Sequence, residues 1–341
     1  MTRPLFPALA ASVLLTLSLA APAPAEASGF DMSRPEIRAF ATAVAKRNNI
    51  PRRSVLRLLA KAEPQPKLIE MEEKPAERVL QWWEYRAVFV TERRIAEGVQ
   101  FYQEHRASLE RIARDSGIPA EYLLGIIGCE TYYGRITGRD RVLDVLMTLA
   151  FDYPPRGEFY RGELEQFILL AREEHFDATA IRGSYGGAMG APQFMPSAYR
   201  RYAVDASHDH KRDLWNNWDD VLASVANYLV QNGWRSGEPV LVPARLEPDP
   251  DFQLDPRLEL STTVEALSEH GVRIDVPVAG TTAVMLISAE QQDGPQYRVG
   301  FNNFRVITRY NHSARYAMAV SDLAASIAAR VRAGPQAGTG Q

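Results

Sequence analysis

Residues 116–135 read SGIPAEYLLGIIGCETYYGR, and the rest of the chain can be read outward from them. Pro119 stands where a first helical residue belongs, behind Ser116 and Gly117, and Gly134 stands where a helix stops. Between them Leu123, Ile127 and Glu130 fall at i, i+4 and i+7, with Ile126 beside them. The spacing therefore puts a carboxylate on the apolar stripe of a helix, near its C-terminal end. Burial and the negative end of the helix dipole both disfavour the charged form, so a carboxyl group there is expected to keep its proton near neutral pH. A proton-holding acid in an apolar cleft is what protonation of a glycosidic oxygen requires. The same pattern also suits a Glu whose stem is buried and whose carboxylate reaches water or an arginine. The stretch alone leaves both readings open.

The chain has 341 residues, 46% apolar and 24% charged, the composition of an ordinary soluble globular protein with room for two or three domains. Residues 1–25 read as a secretory signal: Arg3, an apolar run over 5–21, then Ala23-Pro24-Ala25 as a cleavage site. The run is short for a membrane span, and an uncleaved anchor is the alternative. The segment holds no cysteine for lipid attachment, so no lipid anchor is expected. Cys129 is the sole cysteine, which excludes an intrachain disulfide and suits a small buried apolar side chain. A net charge of −3 argues against a nucleic-acid partner.

Residues 29–110 look helical, with helices at 35–48, 51–62 and a long one from Pro75 towards Glu110. Further helices are expected at 142–150, 158–175, 197–204, 219–232 and 314–332. Between them, residues 183–197 (GSYGGAMGAPQFMPS) form a loop with four glycines in eight residues, where backbone can approach a ligand closely. It lacks a Lys-Ser/Thr ending, so it is no phosphate cradle. Past Pro239 the character changes: 240–242, 276–278, 283–288 and 297–307 read as strands, interrupted by a helix at 262–270. The fold class is therefore α+β, predominantly helical, with a small β-rich subdomain.

Residues 205–213 read DASHDHKRD. Asp205, Ser207 and Asp209 hold positions 1, 3 and 5 of an EF-hand-like loop, Lys211 could give its carbonyl at 7, and Asp213 falls at 9. His210 stands where glycine usually makes the turn. A solvated polar loop with an Asx turn fits the same residues.

Four runs taken together resemble one family: GIIGCETYYGR (125–135), RGSYGGAMGAPQFMPSAYRRYAVD (182–205), LWNNWDDVLASVANYLVQNGW (214–234) and FNNFRVITRYNHSARYAMAV (301–320). It is the lytic murein transglycosylases of the membrane-bound B type, with their soluble fragments. The resemblance implies a lysozyme-like catalytic core over 111–238. It implies an N-terminal helical domain over 26–110 completed by a C-terminal helix over 313–332, a β-rich subdomain over 239–312 and a flexible tail over 333–341. It implies cleavage of the MurNAc-β-1,4-GlcNAc bond of peptidoglycan with a 1,6-anhydro product and no required cofactor. Glu130 falls on the single catalytic acid/base. Tyr85, Arg156, Ser184, Gln193, Phe194, Tyr228, Tyr310, Asn311 and Tyr316 fall on substrate-binding positions. Asp205, Ser207, Asp209, Lys211 through its carbonyl, and Asp220 fall on a cation site for a structural calcium or sodium ion, with His208 and His210 in place of glycines. The expected setting is a periplasmic monomer acting on glycan strands, open to cell-wall enzyme complexes. Two competing readings remain: a hydrolytic muramidase drawing a second carboxylate from Asp140, Asp144 or Asp152, and a non-catalytic peptidoglycan-binding scaffold.

Overall fold

The computed structural model describes residues 29–73, 80–248 and 250–334; the signal read at 1–25 and residues 335–341 of the tail lie outside them. Helices α1 (Pro35–Asn48), α2 (Arg52–Leu59) and α3 (Lys67–Glu73) come first, then α4 (Trp82–Phe89), α5 (Glu92–Glu104) and α6 (Arg106–Ser116). The central segment holds α7 (Ala120–Thr131), β1 (Asp140–Arg141), α8 (Val142–Asp152), α9 (Gly157–Glu173), β2 (Arg182–Gly183), α10 (Pro196–Tyr202) and α11 (Trp218–Gln231). Then follow β3 (Leu241–Pro243), β4 (Arg245–Leu246), β5 (Thr262–Thr263), α12 (Val264–Glu269), β6 (Val272–Arg273), β7 (Ala283–Gln291) and β8 (Gly294–Gly300). Helices α13 (Asn302–Thr308) and α14 (Ala314–Ala333) close the chain.

One apolar core runs through the helices from Phe30 to Ile327. A second, built from Leu267, Val272, Val284, Leu286, Val299 and Phe301, lies under the strands after Pro239. There β3, β8, β7 and β5 form an antiparallel sheet in that order, and β4 pairs with β6. The fold is mostly helical and lysozyme-like, with this β-rich part beside it, as the sequence suggested.

Two expectations need correction, and a third is made definite. The long helix towards Glu110, whose length left room for breaks, is in separate pieces. Gln81 and Glu84 form a capping box at the start of α4, Thr91 caps α5 by accepting from the Arg94 N–H at 3.1 Å, and His105 separates α5 from α6. Its first residues, 75–79, lie outside the described chain. Residues 276–278 are not a strand: Pro277 has no N–H to give a ladder, and the Val278 N–H turns back to the Val276 carbonyl. Residues 297–307 are half strand and half helix, the switch falling after Gly300. Phe304 and Ile307 bury themselves at helical spacing, and Asn303 bonds the backbone of Arg235 and Glu238.

Helix α7 is apolar nearly all round, so it is buried on nearly all sides; Leu123 to Cys129 are buried without a gap. Its tightest neighbour is α14. A Cβ added at Gly125 would stand 2.7 Å from the Val320 carbonyl oxygen of that helix, so only glycine permits the approach. Gly125→Ala is expected to destabilise the protein by about 2 kcal/mol through overpacking against backbone that cannot yield. Thermal melting should show a Tm lowered by about 4 °C or more; an unchanged Tm would mean the two helices can part freely.

Candidate active site

Glu130 occupies the last turn of α7, half-buried. The backbone that follows is unusual: Tyr132, Tyr133 and Gly134 take positive φ values of 53°, 59° and 80° in succession. Two consecutive non-glycine residues in that region are strained, and the surroundings hold them there. The Tyr133 hydroxyl donates to the Arg94 carbonyl at 3.0 Å, passing close to Gly98 and Gly128. The Thr131 hydroxyl donates to the Ala191 carbonyl at 2.8 Å and accepts the Gly134 N–H at 3.0 Å. The Arg94 guanidinium lies between the rings of Phe89 and Tyr132. The end of α7 is thus pinned to α5 on one side and to the glycine-rich loop on the other.

Across from Glu130 stands the start of α14. Ser313 caps that helix by accepting the Tyr316 N–H, and the Tyr316 hydroxyl donates to Glu130 Oε1 at 2.6 Å. Tyr310 donates to the Pro192 carbonyl at 2.6 Å, and its ring stacks on that of Tyr316 at 6.5 Å and 15°. Tyr228 donates to the Arg309 carbonyl, and its ring lies 4.7 Å from that of Tyr310. Phe194 meets Tyr228 and Tyr310, each at 5.8 Å. Burial, then the charge of Glu130, pushes the phenols of Tyr310 and Tyr316 well above the ordinary tyrosine value; burial pushes Tyr228 up to about 12. All three remain neutral phenols at any physiological pH.

These residues wall a cavity of about 440 Å³ that holds Glu130, Arg156, Ser184, Gln193, Tyr310 and Asn311. A second hollow of about 340 Å³ holds Phe194 and Tyr228, and it shares Phe159, Gln193, Met195 and Tyr310 with the first, so the two form one groove. Ser184 accepts the N–H groups of Gly186 and Ala188, which leaves its own proton to donate. Gln193 spends its amide hydrogens on the carbonyls of Thr137 and Gly190, which leaves its carbonyl oxygen as an acceptor. Eight of the ten residues picked from the sequence therefore line the groove, and Tyr316 reaches it through Glu130. Tyr85 is 1% exposed, packs on Phe89 and is not part of the open wall.

Sequence reading missed Glu72. This carboxylate on α3 lines the same cavity, ion-paired with Arg156 and accepting from the Tyr160 hydroxyl at 2.8 Å. Nothing in the run LIEMEE separates Glu72 from Glu70 or Glu73 as a site residue. Asp144 is engaged by the Glu63 N–H and Arg141, and Asp152 by Arg34. Neither these nor Asp140 lines the cavity.

The 205–220 loop is closed by its own hydrogen bonds. Asp205 accepts the N–H groups of Asp209 and His210, Asp209 accepts that of Lys211, and buried Asp220 accepts those of Ala206, Ser207 and Asp213. His208 and His210 take left-handed φ values of 60° and 67°, where glycine would be at ease. Among the described residues no three His, Cys, Asp or Glu side chains converge; Asp205, Ser207, Asp209, Lys211 and Asp220 are brought into one loop, whose carboxylates accept backbone N–H groups.

The comparisons agree with this geometry. Residues 32–325 match the Transglycosylase SLT domain family. The chain belongs to the SLT-domain transglycosylases. It is 41% identical over 252 residues to membrane-bound lytic murein transglycosylase B of Escherichia coli K12, covering 74% of this chain and 69% of that one. The catenated lytic transglycosylase SltB1 of Pseudomonas aeruginosa superposes with a TM-score of 0.83 at 39% identity, over 87% of this chain and 98% of the other. Escherichia coli Slt35 in complex with calcium gives 0.80 at 36%, over 89% and 96%. Pseudomonas aeruginosa SltB3 in complex with NAG-NAM-pentapeptide gives 0.74 at 28%, over 86% and 79%. This transglycosylase is therefore a peptidoglycan-processing enzyme, and among its described residues no helix is long and apolar enough to cross a membrane.

Two outcomes are expected. Tyr316→Phe removes the sole hydroxyl of that ring from Glu130, and kcat should fall about tenfold or more with the fold retained, since hydrogen bonds to charged groups are worth about 1.5–3 kcal/mol; unchanged kcat would detach Tyr316 from the chemistry. Replacing EDTA by about 1 mM calcium should move Tm by less than about 1 °C, because His208 and His210 hold left-handed positions of the loop where glycine would be at ease. A shift of many degrees would show a tight ion site.

Proposed function

We propose that this enzyme cleaves the MurNAc-β-1,4-GlcNAc bond of peptidoglycan without water, leaving a 1,6-anhydromuramoyl end. The observation that carries the reading is Glu130, set at the end of α7 in a groove it shares with Tyr310, Gln193 and Asn311, and hydrogen-bonded by Tyr316. Glu130 enters protonated, its position at the helix C-terminus disfavouring the anion. It donates its proton to the glycosidic oxygen as that bond to C1 breaks. The acetamido oxygen of the muramoyl sugar bonds to C1 in its place, aligned by the Ser184 hydroxyl. Glu130, now ionised and held by Tyr316, takes the proton of the C6 hydroxyl as O6 attacks C1 and expels the acetamido oxygen. One carboxyl group serves as acid and then as base.

Glu72 is the feature that favours hydrolysis, since two carboxylates in one groove are the usual glycosidase arrangement. Its Oε1, however, is committed to Arg156 and to Tyr160. That engagement supports a role on the wall. Arg156, Gln193, Asn311 and the aromatic residues Phe194, Tyr228 and Tyr310 serve as sugar and peptide contacts. The enzyme works as a periplasmic monomer delivered by a cleaved signal, on glycan strands, with no step routed through a metal ion.

Glu130→Gln keeps the shape of the site but has no proton to give. Turnover of purified peptidoglycan should fall by about 1,000-fold, the usual weight of a general acid/base, while Tm holds. Retention of near wild-type turnover would remove Glu130 from the mechanism.

A further inference from the structure

The protein carries a net charge of −3, yet residues 29–62 hold eight Lys and Arg against two Asp and Glu. Two of the eight are structural. Arg34 pairs with Glu36 and Asp152, and Arg47 pairs with Glu165. The other six, Arg38, Lys46, Arg52, Arg53, Arg57 and Lys61, are all exposed, and among the described residues none forms an ion pair. They are ordered. Arg38 and Lys46 flank Thr42 in one row along about 12 Å of α1, at spacings of four. Arg53 and Arg57 repeat the spacing along α2, and Lys61 follows in the turn beyond its end. Arg52 joins the two helices by donating to the Thr42 hydroxyl at 2.8 Å.

Six exposed cations without ion pairs, on a two-helix hairpin of an acidic protein, make a local positive surface complementary to a polyanion. No large apolar side chain is exposed between residues 29 and 62, so the surface has nothing to insert into a bilayer. The hairpin is fixed rigidly to the catalytic part: Arg34 reaches α8 at Asp152, and Arg47 and Asn48 both reach α9 at Glu165. Whatever the hairpin holds is therefore held at a set distance from the groove.

We propose that the α1–α2 hairpin is a docking surface for the carboxylate-bearing peptide stems of peptidoglycan, separate from the catalytic groove. The proposal rests on the peptidoglycan reading above. The peptide stems carry carboxylates at repeated intervals along the polymer, which suits rows of cations better than a closed pocket would. Docking keeps the enzyme on an insoluble, polyanionic substrate between cuts. Because contact is electrostatic and exposed, salt should weaken it strongly.

The test pellets Glu130→Gln protein with intact sacculi, with and without the added changes Arg38→Glu, Arg53→Glu and Arg57→Glu. The charge-reversed protein should bind sacculi about tenfold less tightly at about 50 mM salt, and the difference should shrink towards about 200 mM. With Glu130 intact, the same triple change should leave Tm unchanged and turnover of a short glycan fragment without peptide stems within about twofold of the parent. Equal retention on sacculi by both proteins overturns the proposal. So does loss of binding to anionic phospholipid vesicles with sacculus binding intact, which would make the hairpin a lipid-facing surface. Failure of the catalytic reading looks different: the protein with Glu130 intact would bind sacculi in a charge-dependent way and release no fragments.

Discussion

The close packing of α7 on α14 is the constraint on which the site depends. Helix α7 has almost no polar face, so it must be surrounded, and Gly125 lets the backbone of α14 come within van der Waals reach. That approach sets Tyr316 against Glu130 although 186 residues separate them. A residue near the start of the catalytic part and one near the end of the chain become a hydrogen-bonded pair. The C-terminal helix is thereby part of the proposed active site and not an appendage to it.

Around this pair the chemistry follows from dielectric and geometry. Burial keeps three tyrosines neutral, so they offer hydroxyl donors and ring faces without adding charge. The Ser184 and Gln193 side chains are each half spent on backbone groups, which fixes their direction and leaves one function apiece for a ligand. The strained turn at Tyr132, Tyr133 and Gly134 ends α7 immediately after the acid, and the bonds from Thr131 and Tyr133 hold it shut.

Much of this could be read from the sequence because single elements announced themselves. Pro119 and Gly134 bracketed α7, and a Glu at i+7 on its apolar stripe had no packing reason to be there. Most of the residues carried over from the family resemblance do line one groove. Other features were hidden for physical reasons. Glu72 is one of several acids on a short helix, and only the fold brings Arg156 and Tyr160 to it. The switch from β8 to α13 lay inside the mixed run YRVGFNNFRVI (297–307), where strand and helix periodicity cannot be told apart over so few residues. The loop at 205–213 had the spacing of a cation site, yet spacing does not reveal that its carboxylates also accept backbone N–H groups.

The central claim is that one carboxyl group cleaves the glycan without water. Mass spectra of the muropeptides released from purified peptidoglycan, before and after borohydride treatment, test it most directly. The account predicts products one water lighter than hydrolysis would give, unchanged by borohydride because no reducing end exists. Hydrated products that borohydride reduces would contradict it, and would turn attention to Glu72 as a second catalytic carboxylate.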